Sequence, residues 1–328
     1  MKKKPARLEA VILAAGSGKR LKPLTLIHSK AMTPILGVPI IQIIIQSLAC
    51  AGIKKIIVVR GPKDDELGRC LARIQKSQGL EIRTCVQASP RGTADALAAA
   101  KKFIKSDFIL AGCDNIFPPS HLKRLVREWT RGRPSAILSL SRIRPGELNR
   151  AAGVRLRGRE VIAIKEKPGA KSVRFDAISK FLFVLDRSVL ELIDRVGKSS
   201  RGEVEVQDAV WRMIKKLRAY RKPVGVFARS HLHLTDAEDL LKIHERYLRK
   251  RRPFSIHPQA KIAKGVKIKK PVMIEKGVVI KSGAQIGPMV YIGPGAKIGA
   301  KARVVRCVIY PGAAITGCER RRDAVIAS

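Results

Sequence analysis

Short apolar runs alternate with polar, helix-length stretches along the first two thirds of the chain. Leu8 to Leu13 is apolar except for Glu9 and reads as a first β-strand. Ile40 to Ala51 is apolar on almost every side, with Pro39 at its start and Gly52 at its end, and predicts a deeply buried helix. Lys54 to Arg60 predicts a buried strand and Asp64 to Gln78 an amphipathic helix. Glu81 to Gln87 predicts a third strand, Thr93 to Ile104 an alanine-rich helix, and Asp107 to Cys113 a fourth strand. Helices alternating with β-rich runs imply a mostly parallel sheet covered on both faces. After residue 135 the pattern loosens. Strands are expected at Ala136 to Ile143, Gly153 to Leu156, Val161 to Ile164, Phe181 to Leu185 and Val224 to Ala228. The second and third of these form a hairpin through Arg157-Gly158-Arg159. Helices are expected at Ser188 to Val196, Val206 to Ala219 and Asp236 to Lys250, the last capped by Asp236 and stopped before Pro253.

From Ile256 the period changes. Ile256, Ile262, Ile268, Ile274, Ile280, Ile286, Ile292, Ile298 and Val304 recur every six residues. A small residue follows each by four places, from Ala260 to Val308. A hexad repeat of this strictness is the signature of a parallel β-helix. Each aliphatic would point inward and stack on its counterpart one coil away. Nine hexads at three per coil make about three coils. A domain boundary is therefore expected between residues 252 and 253.

Composition narrows the class. The chain has 328 residues, 45% of them hydrophobic, enough for two domains with sizeable cores. No apolar run is long enough to span a bilayer. The basic start Met1-Lys2-Lys3-Lys4 leads into a short run carrying Arg7 and Glu9, which reads as a strand and not an export signal. Six cysteines include no C-x-x-C pair, which suits reduced thiols in a cytoplasmic protein better than disulfides or a zinc site. The net charge is the outlier, with 67 basic against 26 acidic residues and a formal +41. Such a field attracts phosphates and nucleic acid. The basic residues are spread along the whole chain without interleaved aromatics for base stacking, so nucleic acid is not the favoured partner.

The candidate chemistry begins at Leu13 to Thr25, read LAAGSGKRLKPLT. Gly16 and Gly18 let the backbone approach a ligand closely and aim its N–H groups at anionic oxygens. Lys19, Arg20, Lys22 and Lys30 add cations beside that turn. It has the makings of a phosphate cradle at the carboxyl end of a strand, where open α/β sheets bind ligands.

That run, followed by Lys30-x-Met-x-Pro and Gly-x-Pro-Ile-Ile, resembles the nucleotide signature of the sugar-1-phosphate nucleotidylyltransferases, or NDP-sugar pyrophosphorylases. Gln87-Ala-Ser-Pro-Arg-Gly92-Thr-Ala-Asp resembles their base-binding segment. Leu110-Ala-Gly-Cys-Asp114 resembles their metal-binding strand, and Glu166-Lys167-Pro168 their sugar-phosphate motif. The hexads, ending Cys-Val-Ile-Tyr-Pro-Gly, resemble the left-handed β-helix of the long forms. The resemblance implies a Rossmann-like, mixed but mostly parallel sheet followed by that β-helix. It implies transfer of a nucleotidyl group from UTP or dTTP to a sugar 1-phosphate, a sugar phosphate oxygen attacking the α-phosphorus as pyrophosphate leaves. Leu13, Ala14, Ala15, Gly16 and Gly18 would wrap the triphosphate. Arg20 would hold the leaving pyrophosphate and Lys30 would offset charge at the α-phosphate. Gln87, Gly92 and Thr93 would meet the base. Gly153, Glu166 and Lys167 would bind the sugar phosphate. Asp114 would hold Mg²⁺ or another divalent ion such as Mn²⁺, and the β-helix would support a homo-oligomer.

Three positions depart from the pattern. Ser29 replaces the proline that normally precedes the lysine. The sugar-pocket run, usually Asn-Ala-Gly before an aliphatic and an aromatic, is Ser179-Lys180-Phe181-Leu182-Phe183. His233 aligns with the second metal carboxylate, with Asp236 nearby, and imidazole is a poor ligand for Mg²⁺. These departures and the +41 charge also allow a regulatory or assembly relative that binds nucleotide or RNA without turnover.

Overall fold

The computed structural model describes residues 8–16, 18–22, 24–149, 151–168, 174–197, 202–250 and 254–327. The expected boundary at 252 and 253, Pro253 and the basic start lie outside these residues. The chain falls into two compact units. The first takes in the residues up to Gly16, then Ser29–Met32 and Ile40–His231. The second takes in Gly18–His28, Thr33–Pro39 and the chain from Leu232 onward.

In chain order, the first unit contains β1 (Glu9–Leu13), α1 (Ile40–Cys50), β2 (Lys55–Arg60), α2 (Asp65–Gln78), β3 (Glu81–Val86), α3 (Thr93–Ala100) and β4 (Phe108–Gly112). There follow α4 (Pro119–Gly132), β5 (Ala136–Ser141), β6 (Gly153–Arg157), β7 (Glu160–Lys165), β8 (Ala177–Leu185), α5 (Val206–Leu217) and β9 (Val224–Phe227). The strands form one sheet in the order β3-β2-β1-β4-β8-β5-β9-β7-β6. Within it β1 runs parallel to β2 on one side and to β4 on the other, so Leu13 lies between Val59 and Gly112. The chain builds outward from β1 to β3, then returns to the far side of β1 as β4. A reversal of this kind opens a ligand crevice at the carboxyl ends of the two flanking strands. Val11 and Leu13 join a core with Ala94 and Leu97 of α3 and Val206 and Val210 of α5. Ala10 and Ile12 are fully buried on the opposite face. That double burial is why β1 reads as a continuous apolar run.

Two elements differ from the sequence reading. α4 was not expected. Pro119 opens it, Leu122, Leu125 and Trp129 line its buried face, and Arg133 ends it in the left-handed conformation. Charged residues between those apolar positions mask the helical spacing. Ser188 to Val196 is not an α-helix. It folds as two 3₁₀ turns, Arg187–Glu191 and Ile193–Arg195, started by Asp186 accepting from the Ser188 N–H at 2.9 Å. Among the described residues no helix is long and apolar enough to cross a membrane.

The second unit includes a small hairpin, Pro34–Ile35 paired with Val38–Pro39. Its two-residue turn has Leu36 at φ 45° and Gly37 at φ 77°. Positive φ at both places is the type I′ arrangement that suits the twist of paired strands. Glycine takes it freely, whereas a leucine there costs about 1–2 kcal/mol. The last helix, α6 (Ala237–Lys250), is capped as expected, the Asp239 N–H donating to Asp236 Oδ1 at 3.0 Å. Parallel strands then stack with an 18-residue step. Ile256 pairs with Ile274 and Ile292, Ile262 with Ile280 and Ile298, and Ile268 with Ile286 and Val304. From Ile274 to Val304 these aliphatics are buried.

The register then slips. Val290 pairs with Cys307, a step of 17, so Cys307 takes the corner place expected of Val308. Arg306, at φ 49°, turns the chain one residue early. Its guanidinium reaches Glu238 and Glu245 of α6 and Asp323, at 3.0–3.1 Å. The first column continues to Ile309 and Ile326 and the second to Ile315, so the stack is taller than nine hexads provide.

Candidate active site

The ends of β1 and β4 bring the first group of residues together. Past Leu13, the Ala14 N–H donates to the Val59 carbonyl at 2.8 Å, and the Cys113 N–H to the Leu13 carbonyl at 3.1 Å. Leu13 and Ala14 are buried, Ala15 is half-buried and Gly16 is exposed, with open space where a side chain would stand. Asp114 follows β4 directly. Its Oδ2 accepts from Lys30 Nζ at 2.6 Å and its Oδ1 from Asn115 Nδ2 at 2.7 Å. Both partners of the ion pair are largely shielded, with 12% of the Lys30 side chain and 25% of the Asp114 side chain exposed. The sequence flagged both residues but not their pairing. A methyl group at Gly112 would lie 2.8 Å from Asp114 Oδ1, so glycine there leaves room for the carboxylate. Burial, then Asp114, push the neighbouring Cys113 thiol up to about 12, which makes it inert.

A second group forms around Gln87. Its Nε2 donates to the Gly92 carbonyl at 3.1 Å and to Asp95 Oδ2 at 2.8 Å. Both partners are acceptors, which fixes the amide's orientation and leaves the carbonyl Oε1 to offer a ligand. Gly92, at φ 124°, lies against the chain at Val204, where a methyl group would come within 2.4 Å of the Val204 carbonyl oxygen. The Val204 N–H donates to the Arg91 carbonyl at 3.0 Å, and the Ala94 N–H to the Val204 carbonyl at 2.9 Å. Thr93 Oγ1 accepts from the Val206 N–H at 2.9 Å. Asp95 and Val204 were not foreseen as supports. Asp95 could have been, because it lies in the first turn of a helix that opens on Gly92.

The sugar-side residues are more dispersed. Lys167, at φ 41°, keeps its Nζ 4.0 Å from Glu166 Oε1. Gly153 pairs with Lys165 of β7 and Ile178 of β8, and its missing side chain makes room for the Phe175 ring, 2.7 Å from where a methyl group would stand. Around Lys180 to Leu182, β8 shifts register against β5. An irregularity of this kind re-aims side chains. Lys180 Nζ meets Glu147 Oε1 at 3.1 Å, and Phe181 stacks edge-on against Phe183 at 5.5 Å. The departure noted at Phe181 thus coincides with an irregularity in the strand.

Gly18, Arg20 and His233 belong to the second unit. Gly18 is left-handed at φ 61° and starts a 3₁₀ turn, Lys19–Leu21. Thr25 Oγ1 donates to its carbonyl at 3.1 Å, while Lys19, Arg20 and Lys22 are exposed. His233 Nδ1 lies 3.2 Å from Thr235 Oγ1. Asp236, weighed as a replacement ligand, serves as the α6 cap. Among the described residues no cluster of three or more His, Cys, Asp or Glu could hold a metal by itself. The donor set fits a hard ion that arrives with phosphates, because Mg²⁺ commonly takes one or two carboxylates and draws its other ligands from substrate and water.

Comparison with known proteins identifies the family. The Nucleotidyl transferase family matches residues 9–227, and the GMPPB C-terminal domain matches residues 268–328. The low-salt glycan biosynthesis nucleotidyltransferase Agl11 of Haloferax volcanii is 29% identical over 63% of this chain and 57% of its own length. Glucose-1-phosphate thymidylyltransferase of Streptomyces griseus is 28% identical over 66% of this chain and 60% of its own length. The match thus spans less than two thirds of either relative. A crystal structure of UDP-glucose pyrophosphorylase complexed with UDP-glucose superposes with a TM-score of 0.67 at 18% identity, over 74% of this chain and 99% of that one. At that identity the likeness is one of fold. By the match over residues 9–227, the chain belongs to the nucleotidyl transferase family.

Proposed function

We propose that the chain transfers a nucleotidyl group from a uracil or thymine nucleoside triphosphate to a sugar 1-phosphate, releasing pyrophosphate. The observation that carries this reading is the pairing of Lys30, in the 3₁₀ turn Lys30–Met32, with Asp114 just past the carboxyl end of β4. A cation and an anion that hold each other are both available once charged ligands of each sign compete for them. Lys30 turns to the α-phosphate. Asp114 would supply the carboxylate for a divalent cation arriving with the triphosphate, and His233 is the other residue that could ligate one. That cation would contribute charge neutralisation at the phosphates. Gly16, Gly18 and Arg20 cradle the pyrophosphate that departs. The sugar phosphate oxygen forms the new bond to the α-phosphorus in line as the bond to pyrophosphate breaks. Catalysis of this kind is positioning and charge stabilisation.

Base choice follows from Gln87. Its free carbonyl Oε1 suits a ring imino N–H, which uracil, thymine and guanine carry and adenine and cytosine lack, so it disfavours the last two. The choice of uracil or thymine over guanine rests on the resemblance of the Gln87–Gly92 segment. Glu166, Lys167 and Gly153 serve the sugar phosphate. The C-terminal stack is read as a left-handed β-helix that supports a homo-oligomer in the cytoplasm, a state that sedimentation would measure.

The test is pyrophosphate release with UTP, dTTP, GTP and ATP against a panel of hexose and N-acetylhexosamine 1-phosphates, with Mg²⁺ or Mn²⁺. Turnover with UTP or dTTP is expected. Arg20→Ala, Lys30→Met and Asp114→Asn should each lower kcat about a hundredfold or more. Binding of nucleotide or RNA with no turnover on the whole panel would replace this reading with the regulatory one.

A further inference from the structure

The hairpin that follows Lys30 holds an awkward conformation, and other residues of the same second unit hold it there. Lys30 sits in the 3₁₀ turn Lys30–Met32, and the chain passes directly into Pro34–Ile35, the Leu36–Gly37 turn and Val38–Pro39. Leu36 is buried and left-handed. Pairing across the hairpin does not satisfy its N–H. That N–H donates instead to His244 Nε2, at 3.2 Å, across 208 residues of sequence. His244 Nδ1 lies 3.0 Å from the Leu240 carbonyl one turn earlier on α6. The carbonyl can only accept, so the proton is on Nδ1 and Nε2 is free to accept. Burial pushes the ring down to about 4, so it stays neutral and keeps that role. The other side of the turn is closed by the stacked strands. A methyl group at Gly37 would stand 3.2 Å from the Tyr291 hydroxyl and 3.4 Å from Glu275 Oε1. The Tyr291 ring lies 5.5 Å from the His244 ring, so the imidazole is packed as well as bonded.

We infer that His244 is a positioning residue for the reaction, holding the Leu36–Gly37 turn through its Nε2 acceptor and so fixing the segment that carries Lys30. The helix α6 and the stacked strands packed beside it then have a part in catalysis besides assembly, although none of those strands carries a reacting group. This inference rests on the reading of Lys30 as catalytic. His244 touches no substrate in it.

Two full-length variants separate the acceptor from the packing. His244→Phe keeps the ring and its place beside Tyr291 but removes the acceptor. His244→Gln can accept from Leu36 and donate to Leu240. The expected result is a kcat about tenfold or more lower in His244→Phe, with KM for both substrates little changed, and recovery to near wild type in His244→Gln. Hydrogen exchange at the Leu36 amide should accelerate in His244→Phe and not in His244→Gln. An unchanged kcat in His244→Phe would overturn the inference and leave the proposed function standing. Equal losses in both variants would assign the effect to ring packing and also overturn it. A wild-type protein inactive on the whole substrate panel would instead remove the proposed function. The exchange rate then decides the anchor by itself, and an unchanged Leu36 amide in His244→Phe would remove it too.

Discussion

At Gly92 the nucleotide segment has no room for a side chain. The residue combines a φ of 124° with a carbonyl oxygen 2.4 Å from where a methyl group would stand. A Gly92→Ala variant must therefore move the chain off Val204 and break the bonds on either side of it. The expected cost is about 2–4 kcal/mol in denaturant unfolding, with a raised KM for the nucleoside triphosphate. A change of less than about 0.5 kcal/mol would show that the contact gives way easily. Gln87 makes a different demand. Because the Gln87 amide nitrogen donates to Gly92 and Asp95, Gln87→Glu would place a second carboxylate beside Asp95 and lose both of those bonds. It should weaken nucleotide binding at neutral pH by about tenfold or more, measured by calorimetry, because like charges so close destabilise one another.

Among the elements, α4 was the least legible in the sequence and carries a measurable pH dependence. His121 lies on its buried face, with Nε2 2.9 Å from Ser139 Oγ and its ring stacked on Phe117 at 5.3 Å. Burial, helped by the Arg124 guanidinium, pushes its pKa down to about 4. The folded chain thus keeps the ring neutral at pH values where the unfolded chain, titrating near 6.5, takes up a proton. This contribution is complete above about pH 6.5 and is lost as the pH falls toward 4. The unfolding temperature should fall through that window, and less steeply in His121→Gln. Equal slopes in the two proteins would refute the assignment. The same contrast explains what the sequence made visible. β1, β2 and β4 announce themselves because both faces of the sheet are buried and the runs are apolar except at their ends. The stacked aliphatics announce themselves because one position repeats at a fixed spacing. α4 hides because a half-buried helix shows only every third or fourth residue as apolar, and here arginines and lysines fill the gaps. The pairing of Lys30 with Asp114 and the docking of Gly92 on Val204 join residues 84 and 112 places apart. No local pattern encodes contacts at that range.

Across the whole molecule the excess of positive charge acts on both proposed substrates alike, since both are polyanions. Charge spread over the surface raises their local concentration through a field that salt screens over about 10 Å at 0.1 M and about 3 Å at 1 M. The KM values should rise several-fold between about 50 and 500 mM salt, while kcat, which depends on the largely shielded Lys30 and Asp114 and on Arg20 at short range in the bound complex, should change less. A KM independent of salt would mean that the formal +41 has no part in substrate capture. The division of the chain belongs to this scale too. Gly18–His28 and Thr33–Pro39 group with the C-terminal unit although they lie near the start of the sequence. The sequence showed two domains end to end. It could not show the interleaving, which arises from bonds such as that between Leu36 and His244.

The register slip at Arg306 gives the stacked strands a ruler. A repeat of interchangeable rungs has no inherent length, and each rung adds about 4.8 Å to a stack that could stop anywhere. Arg306 ends that freedom, because the carboxylates it gathers from Glu238 and Glu245 sit at fixed places on α6. Duplicating one 18-residue turn upstream of Val290 would lift Arg306 a full rung beyond both glutamates. Duplications within the array should therefore be stable only when α6 is lengthened to match, and the helix, not the repeat, sets how many rungs the protein has.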